Sequence, residues 1–167
     1  MTVIPGGRAT VTPYVVVKGA ARFLDFVETT FGTGPALRVP GEDGTIGHAE
    51  VVIGNSVVMA FDARPQWPDT PSFLSVYVAD VGEVVERALA AGATVVTTIT
   101  TSWIVGDRGG RVQDPTGNIW WIHTHLEDAD EATMRERFSD PHELATMTRL
   151  QESFDQEMRR RAGAVHR

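Results

Sequence analysis

Two histidines two residues apart, His123 and His125, close a β-prone run near the middle of the second half of the chain. On a strand, such residues point to the same side, so both imidazoles can face one ion. A metal site wants at least three protein donors, and no third accompanies this pair. His48 and Glu50 have the same spacing and could act as an acid–base pair, with His123 as a third catalytic candidate. Arg108, beside Asp107, could hold an anionic group, although a local salt bridge is the commoner use of such neighbours. The segment Gly106–Gly110 lacks the Lys-Ser/Thr ending and the following helix of a phosphate loop. Cysteine is absent, which excludes a thiol nucleophile, a thiolate metal site and a disulfide framework.

These residues sit in a chain of 167 with 42% hydrophobic and 22% charged residues, the balance of a globular protein with one sizeable core. The net charge of -7 argues against nucleic acid and against an anionic membrane surface, both of which call for a basic face. No apolar run is long enough to span a bilayer. Met1–Thr12 lacks the regions of a signal peptide, so a cytoplasmic location is expected.

The elements that position the candidates occur twice. Val15–Lys18 is a strand-like run followed by Ala20–Phe31, where Phe23, Phe26, Val27 and Phe31 recur at helical spacing. Val76–Ala79 leads likewise into Val81–Ala91, with Asp80 as cap and Gly92 as stop. Gly47 precedes Gly54-Asn55, and Gly110 precedes Gly117-Asn118 at the same interval. Each Gly-Asn pair lies between β-prone runs and reads as a hairpin turn. Each half therefore reads strand, helix, then about three strands: module one at about 9–63, module two at about 72–125.

The motifs Thr12-Pro13-Tyr14, Gly47-His48-Ala49-Glu50, Ala90-Ala91-Gly92-Ala93, Gly106-Asp107-Arg108 and Asp114-Pro115-Thr116-Gly117-Asn118 resemble the vicinal oxygen chelate superfamily. This is the glyoxalase, bleomycin-resistance and dioxygenase group, here in its PhnB-like branch. The resemblance covers about Ala9–His125. It implies an α+β fold of two βαβββ modules forming curled mixed sheets around a concave cleft, with C-terminal helices added. It also implies a homodimer. The reaction is left open, because the superfamily holds lyases, isomerases, dioxygenases and drug-binding proteins.

Metal-dependent members place His, Glu or Gln on the first and last strands of each module. There the ion stabilises an enolate or activates dioxygen. In this chain the resemblance puts Thr12, Val58, Phe73 and Trp121 at those positions, with Met59 in place of Val58 if the register slips by one. None is a good ligand for Zn²⁺, Ni²⁺, Fe²⁺ or Mn²⁺. No metal and no cofactor is therefore expected. A two-residue turn at Gly54-Asn55 sets His48 and Glu50 on one face with Met59 and Phe61, opposite Val58. That favours a structural role for the pair over catalysis.

With rings in place of donors, the cleft becomes aromatic. The expected ligand-binding set is Tyr14, Phe73, Ser75, Tyr77, Trp103, Arg108 and Trp121, suited to a small hydrophobic or aromatic molecule. Trp120 alternates with Trp121 and should pack under a helix. The first reading of function is metal-independent binding, with antibiotic sequestration as one form. The alternatives are a lyase, isomerase or dioxygenase-type enzyme, and a non-catalytic scaffold. Residues 1–126 form the expected main domain and 127–167 a helical tail. In the tail, Asp140-Pro141-His142-Glu143 opens a helix with a capping box. Leu144, Met147, Leu150, Phe154 and Met158 form one stripe, and Gly163 stops the helix. The stripe must be buried on its own chain or on a partner, and a dimer contact is expected.

Overall fold

The computed structural model describes residues 8–165. Residues 1–7, part of the segment read as free of a signal peptide, and the last two of the tail lie outside the described residues.

Module one runs β1 (Tyr14–Val17), α1 (Ala20–Phe31), β2 (Leu37–Pro40), β3 (Ile46–Ile53) and β4 (Ser56–Asp62). Module two runs β5 (Phe73–Tyr77), α2 (Val81–Ala90), β6 (Thr94–Ser102), β7 (Asp107–Gln113) and β8 (Ile119–His125). Each forms a four-stranded mixed sheet, ordered β1-β4-β3-β2 and β5-β8-β7-β6. The parallel pair in each, β1 with β4 and β5 with β8, brings together the first and last strands of its module, with the helix and the other two strands between them in sequence. The fold is thus the α+β arrangement of paired βαβββ units that the repeat predicts.

The helices start where side chains meet their free N–H groups. Asp80 Oδ1 accepts from the Gly82 and Glu83 amides at 2.7 and 3.1 Å. At α1 the same service comes from across the sheet: Asp62 Oδ1, on β4, accepts from the Gly19 and Ala20 amides at 2.8 Å each. The motif Asp114–Asn118 is likewise a structural device. Buried Asp114 accepts from the Thr116 and Asn118 amides at 2.8 and 3.1 Å and from the Trp120 indole at 2.9 Å. The turn, its carboxylate and the largest buried side chain are therefore locked together.

What the repeat leaves open is how the modules meet. Trp120, 0% exposed, projects from the second sheet into Phe23, Phe26 and Phe31 of α1, which belongs to the first module. Arg87 of α2 donates to the Thr30 carbonyl of α1 at 2.9 Å. One continuous core holds both helices and the helix-side residues of both sheets. The two sheets therefore turn their helix-covered sides toward each other and leave two separate open faces, so the chain does not wrap one shared cleft by itself.

The tail forms α3 (Glu131–Arg137) and α4 (Pro141–Val165). The second differs from expectation in three ways. It passes through Gly163 without stopping. Glu143 is drawn away from a capping box, because its carboxylate accepts from the Trp103 amide at 2.9 Å. The stripe is taken up in cis: α4 lies along β6 on the open face of the second sheet, with Leu150 buried and Phe154 half-buried there.

Candidate functional site

The open face of the second sheet gathers the chemistry-bearing residues. Strand pairing sets Arg111 opposite Trp121, Gly109 opposite His123 and Asp107 opposite His125 on β7 and β8. On the other side, Ser75 pairs with Trp121 and Tyr77 with His123. Period-two alternation then places Phe73, Ser75, Tyr77, Trp121, His123 and His125 together, while Trp120 and Ile122 enter the core. Phe73 and Trp121 lie 6.3 Å apart between ring centroids, Trp121 and His123 4.5 Å, and Tyr77 and His123 5.0 Å in a near-parallel stack. Gly109 permits this stack: a Cβ there would come within 2.9 Å of His123 Nδ1 and 3.0 Å of the Ile122 carbonyl.

Asp107 is the polar centre of the upper half of this face. Its carboxylate accepts from the Tyr77 hydroxyl at 2.9 Å and lies 2.8 Å from His125 Nδ1. His125 Nε2 reaches Asp128 at 3.0 Å. These two carboxylates raise the His125 pKa, and the same Asp107 contact raises that of Tyr77. His123 is 6% exposed and stands 3.8 Å from Asp107, too far for a hydrogen bond. Burial pushes its pKa below 6.5.

Arg111 is the residue that sequence reading misses. It is 5% exposed, yet no carboxylate pairs with it among the described residues. Its guanidinium lies 4.1 Å from the centroid of the Trp121 ring and 5.2 Å from that of Phe154. Nη1 donates to the Leu150 carbonyl at 2.7 Å and to Thr97 Oγ1 at 3.2 Å, while Nε has no partner. Burial lowers its pKa. Arg108 is exposed and, three residues earlier on β7, turns to the opposite side of the strand from Arg111. Trp103 lies in the turn after β6, held by Glu143 and Arg137 of the tail, with no ring contact to Phe73, Tyr77 or Trp121 among the described residues.

The open face of the first sheet carries Tyr14, His48, Glu50, Met59 and Phe61. Tyr14 Oη lies 3.1 Å from His48 Nδ1, and His48 Nε2 lies 3.0 Å from Glu50 Oε1. Glu50 also pairs with Arg8, and the His48 hydrogen bond chiefly holds its pKa below the ordinary value. His48 and Glu50 share this face with Met59 and Phe61, opposite Val58, as expected; what changes is that this is the open side, so Met59 and not Val58 takes the pocket position. Val58 is 5% exposed in the core, and Met59, paired with both Tyr14 and Glu50, faces outward with His48. The cause is loop length: Gly54-Asn55 joins β3 to β4, whereas Asp114–Asn118 joins β7 to β8. Matching the two Gly-Asn pairs therefore slips the last strands by one. His48 and Glu50 accordingly stand on the same side as the family's metal position, contrary to expectation.

Those positions nevertheless do not fit a metal. Thr12 precedes β1 and its hydroxyl donates to the Ala9 carbonyl at 3.3 Å. The others are Met59, Phe73 and Trp121. Among the described residues, no three of His, Cys, Asp and Glu stand where they could hold one ion. That includes the His123–His125 pair.

A cleft of ≈ 690 Å³ lies elsewhere, between the modules beside the free edge of β5, lined by Pro13, Asn55, Val58, Val76, Glu83 and Arg87 among others. It shares only Ser75 and Tyr77 with the aromatic face. No helix among the described residues is long and apolar enough to cross a membrane.

Comparison with known proteins places this geometry in context. A protein of Mycobacterium bovis described as uncharacterized is 38% identical over 120 residues, 65% of this chain and 78% of that one. The structure of TioX from Micromonospora sp. ML1 is similar at a TM-score of 0.58 and 30% identity, covering 71% of this chain and 99% of that one. The fosfomycin resistance protein FosX from Listeria monocytogenes shares the fold alone, at a TM-score of 0.57 and 12% identity over 79% of this chain and 99% of that one. Residues 9–122 match the Glyoxalase/Bleomycin resistance protein/Dioxygenase superfamily, and the chain belongs to that superfamily.

Proposed function

We propose that this protein binds a small planar, partly aromatic molecule without a metal, on the open face of the second sheet, and so sequesters or senses it. An antibiotic is one such ligand. The observation that carries the reading is the run of Phe73, Trp121, His123 and Tyr77 side by side on one face. Aromatic faces offer stacking energy of about 0.5–1.5 kcal/mol per ring pair beyond area burial. Ser75, on the same face, adds a hydroxyl that can set orientation. Quenching of tryptophan fluorescence by a panel of planar compounds tests this. Quenching that Trp121→Ala abolishes supports the reading. Stoichiometric Zn, Ni, Fe or Mn in carefully purified protein contradicts it, and a panel that neither quenches nor raises Tm favours a non-catalytic scaffold.

The Asp107 centre favours one second reading, a lyase or isomerase. Asp107 and His125 form a close dyad, and His123, held neutral by burial, has the character of a general base. Turnover that falls by a hundredfold or more in His123→Ala while ligand binding persists would select this reading.

Homodimerisation is part of the proposal. Tyr14, Leu37 and Val39 are 47%, 57% and 45% exposed on the open face of the first sheet, an apolar surface a second copy could cover.

A further inference from the structure

We propose that Arg111 is the anchor for a carboxylate borne on a planar aromatic ring, and that in the free chain helix α4 occupies this site as a built-in substitute for the ligand. The inference rests on the binding reading above and names the class of molecule bound.

The starting point is a charge without a counter-charge. A buried cation is costly unless it is paired. Arg111 is 5% exposed and none of the ion pairs among the described residues includes it. Its Nε has no partner. The guanidinium fork matches a carboxylate in two parallel bonds, yet what it meets is one backbone carbonyl and one hydroxyl, both neutral. Trp121 beneath it supplies a flat surface at 4.1 Å. The site is therefore built for negative charge next to an aromatic plane.

What fills it has the outline of such a ligand. The Leu150 carbonyl oxygen, 2.7 Å from Nη1, stands where a carboxylate oxygen would sit. The Phe154 ring, 5.2 Å from Phe73 and 5.2 Å from the guanidinium, stands where the ligand's ring would stack. The helix is also anchored elsewhere, by Glu143 on the Trp103 amide at 2.9 Å and by Arg161 on the Gly117 carbonyl at 2.9 Å, so what a ligand has to displace is the Leu150 carbonyl and the Phe154 ring and not the whole helix. Leu144 and Met147 of the same stripe remain 45% and 37% exposed, while Leu150 is 9% exposed. The helix also lies outside the superfamily match, which ends at residue 122, and the similar TioX structure is covered almost completely without the remaining part of this chain. Helix α4 is thus an addition laid over a face that the core fold builds without it. A carboxylate would replace a neutral acceptor with an ionic one, and that difference is what would displace the helix segment.

The test compares two probes of one shape on the full chain: 2-naphthoate and the neutral 2-naphthamide, titrated by tryptophan fluorescence. The acid should bind at least tenfold more tightly than the amide. Arg111→Gln should erase that preference, bringing the affinities for acid and amide within about twofold of each other. Phe154→Ala, which empties the ring position with Arg111 intact, should tighten the acid severalfold. If Arg111→Gln does not fold, the acid-to-amide ratio in the unaltered chain and in Phe154→Ala still decides. Equal affinity for the two probes overturns the anion anchor and leaves aromatic binding standing. Binding of neither probe, in the unaltered chain and in Phe154→Ala alike, overturns both. A preference for the acid that Arg111→Gln leaves in place also overturns the assignment.

Discussion

At the scale of residues, the second sheet could be read from the sequence wherever alternation was clean. In Ile119–His125 the buried apolar Trp120 and Ile122 mark the core side, so period two puts Trp121, His123 and His125 together on the other side, while the assignment of that side to a pocket comes from the family resemblance. In Asp107–Gln113 the alternation is broken by Gly109 and Gly110, and Arg111 gives no sign of its burial or of its place under a helix far along the chain. Val58 was misplaced because two turns with the same Gly-Asn pair close loops of different length. Two predictions belong here. Asp114→Ala removes an acceptor shared by buried amides and the Trp120 indole, and should cost about 2–4 kcal/mol in urea unfolding. The second concerns pH. The folded pKa of His123 lies below 6.5, so below that value the unfolded chain takes up a proton that the folded chain does not. Stability should fall as pH drops from 6.5 toward the folded pKa, and His123→Phe should flatten that slope. His125 acts in the opposite sense: its raised pKa favours the folded state at low pH, and that contribution is lost as pH rises through the folded value. Histidine titration followed by NMR should find His125 above His123.

At the scale of elements, α1 and α2 were legible from their apolar spacing and from Asp80, whereas the cap of α1 was not, because Asp62 reaches it from another strand. The tail helix was legible as a helix. Its partner was not, since an amphipathic stripe states only that something must cover it. The structure puts Leu150 and Phe154 on the chain's own second sheet. Leu150→Ala should therefore lower stability by about 2–3 kcal/mol irrespective of protein concentration. A loss that grows on dilution would instead assign the stripe to a partner.

At the scale of the whole molecule, the repeat fixes two equivalent units but says nothing about which sides they join. Trp120 in the aromatic cluster of α1 supplies that answer, and the consequence is two separate open faces. The first of them, with Leu37 and Val39 exposed, is the surface proposed for a second copy. Leu37→Glu should shift the mass measured by light scattering toward the monomer with the fold intact by circular dichroism. The second face carries the central claim, that recognition here runs through rings and a guanidinium and requires no ion. Calorimetric titration of 2-naphthoate into the full chain, with and without excess chelator, measures this most directly. The account predicts one affinity under both conditions, weakened at least tenfold, about 1.4 kcal/mol, by Trp121→Ala. Binding that disappears with chelator, or that Trp121→Ala leaves unchanged, would contradict it.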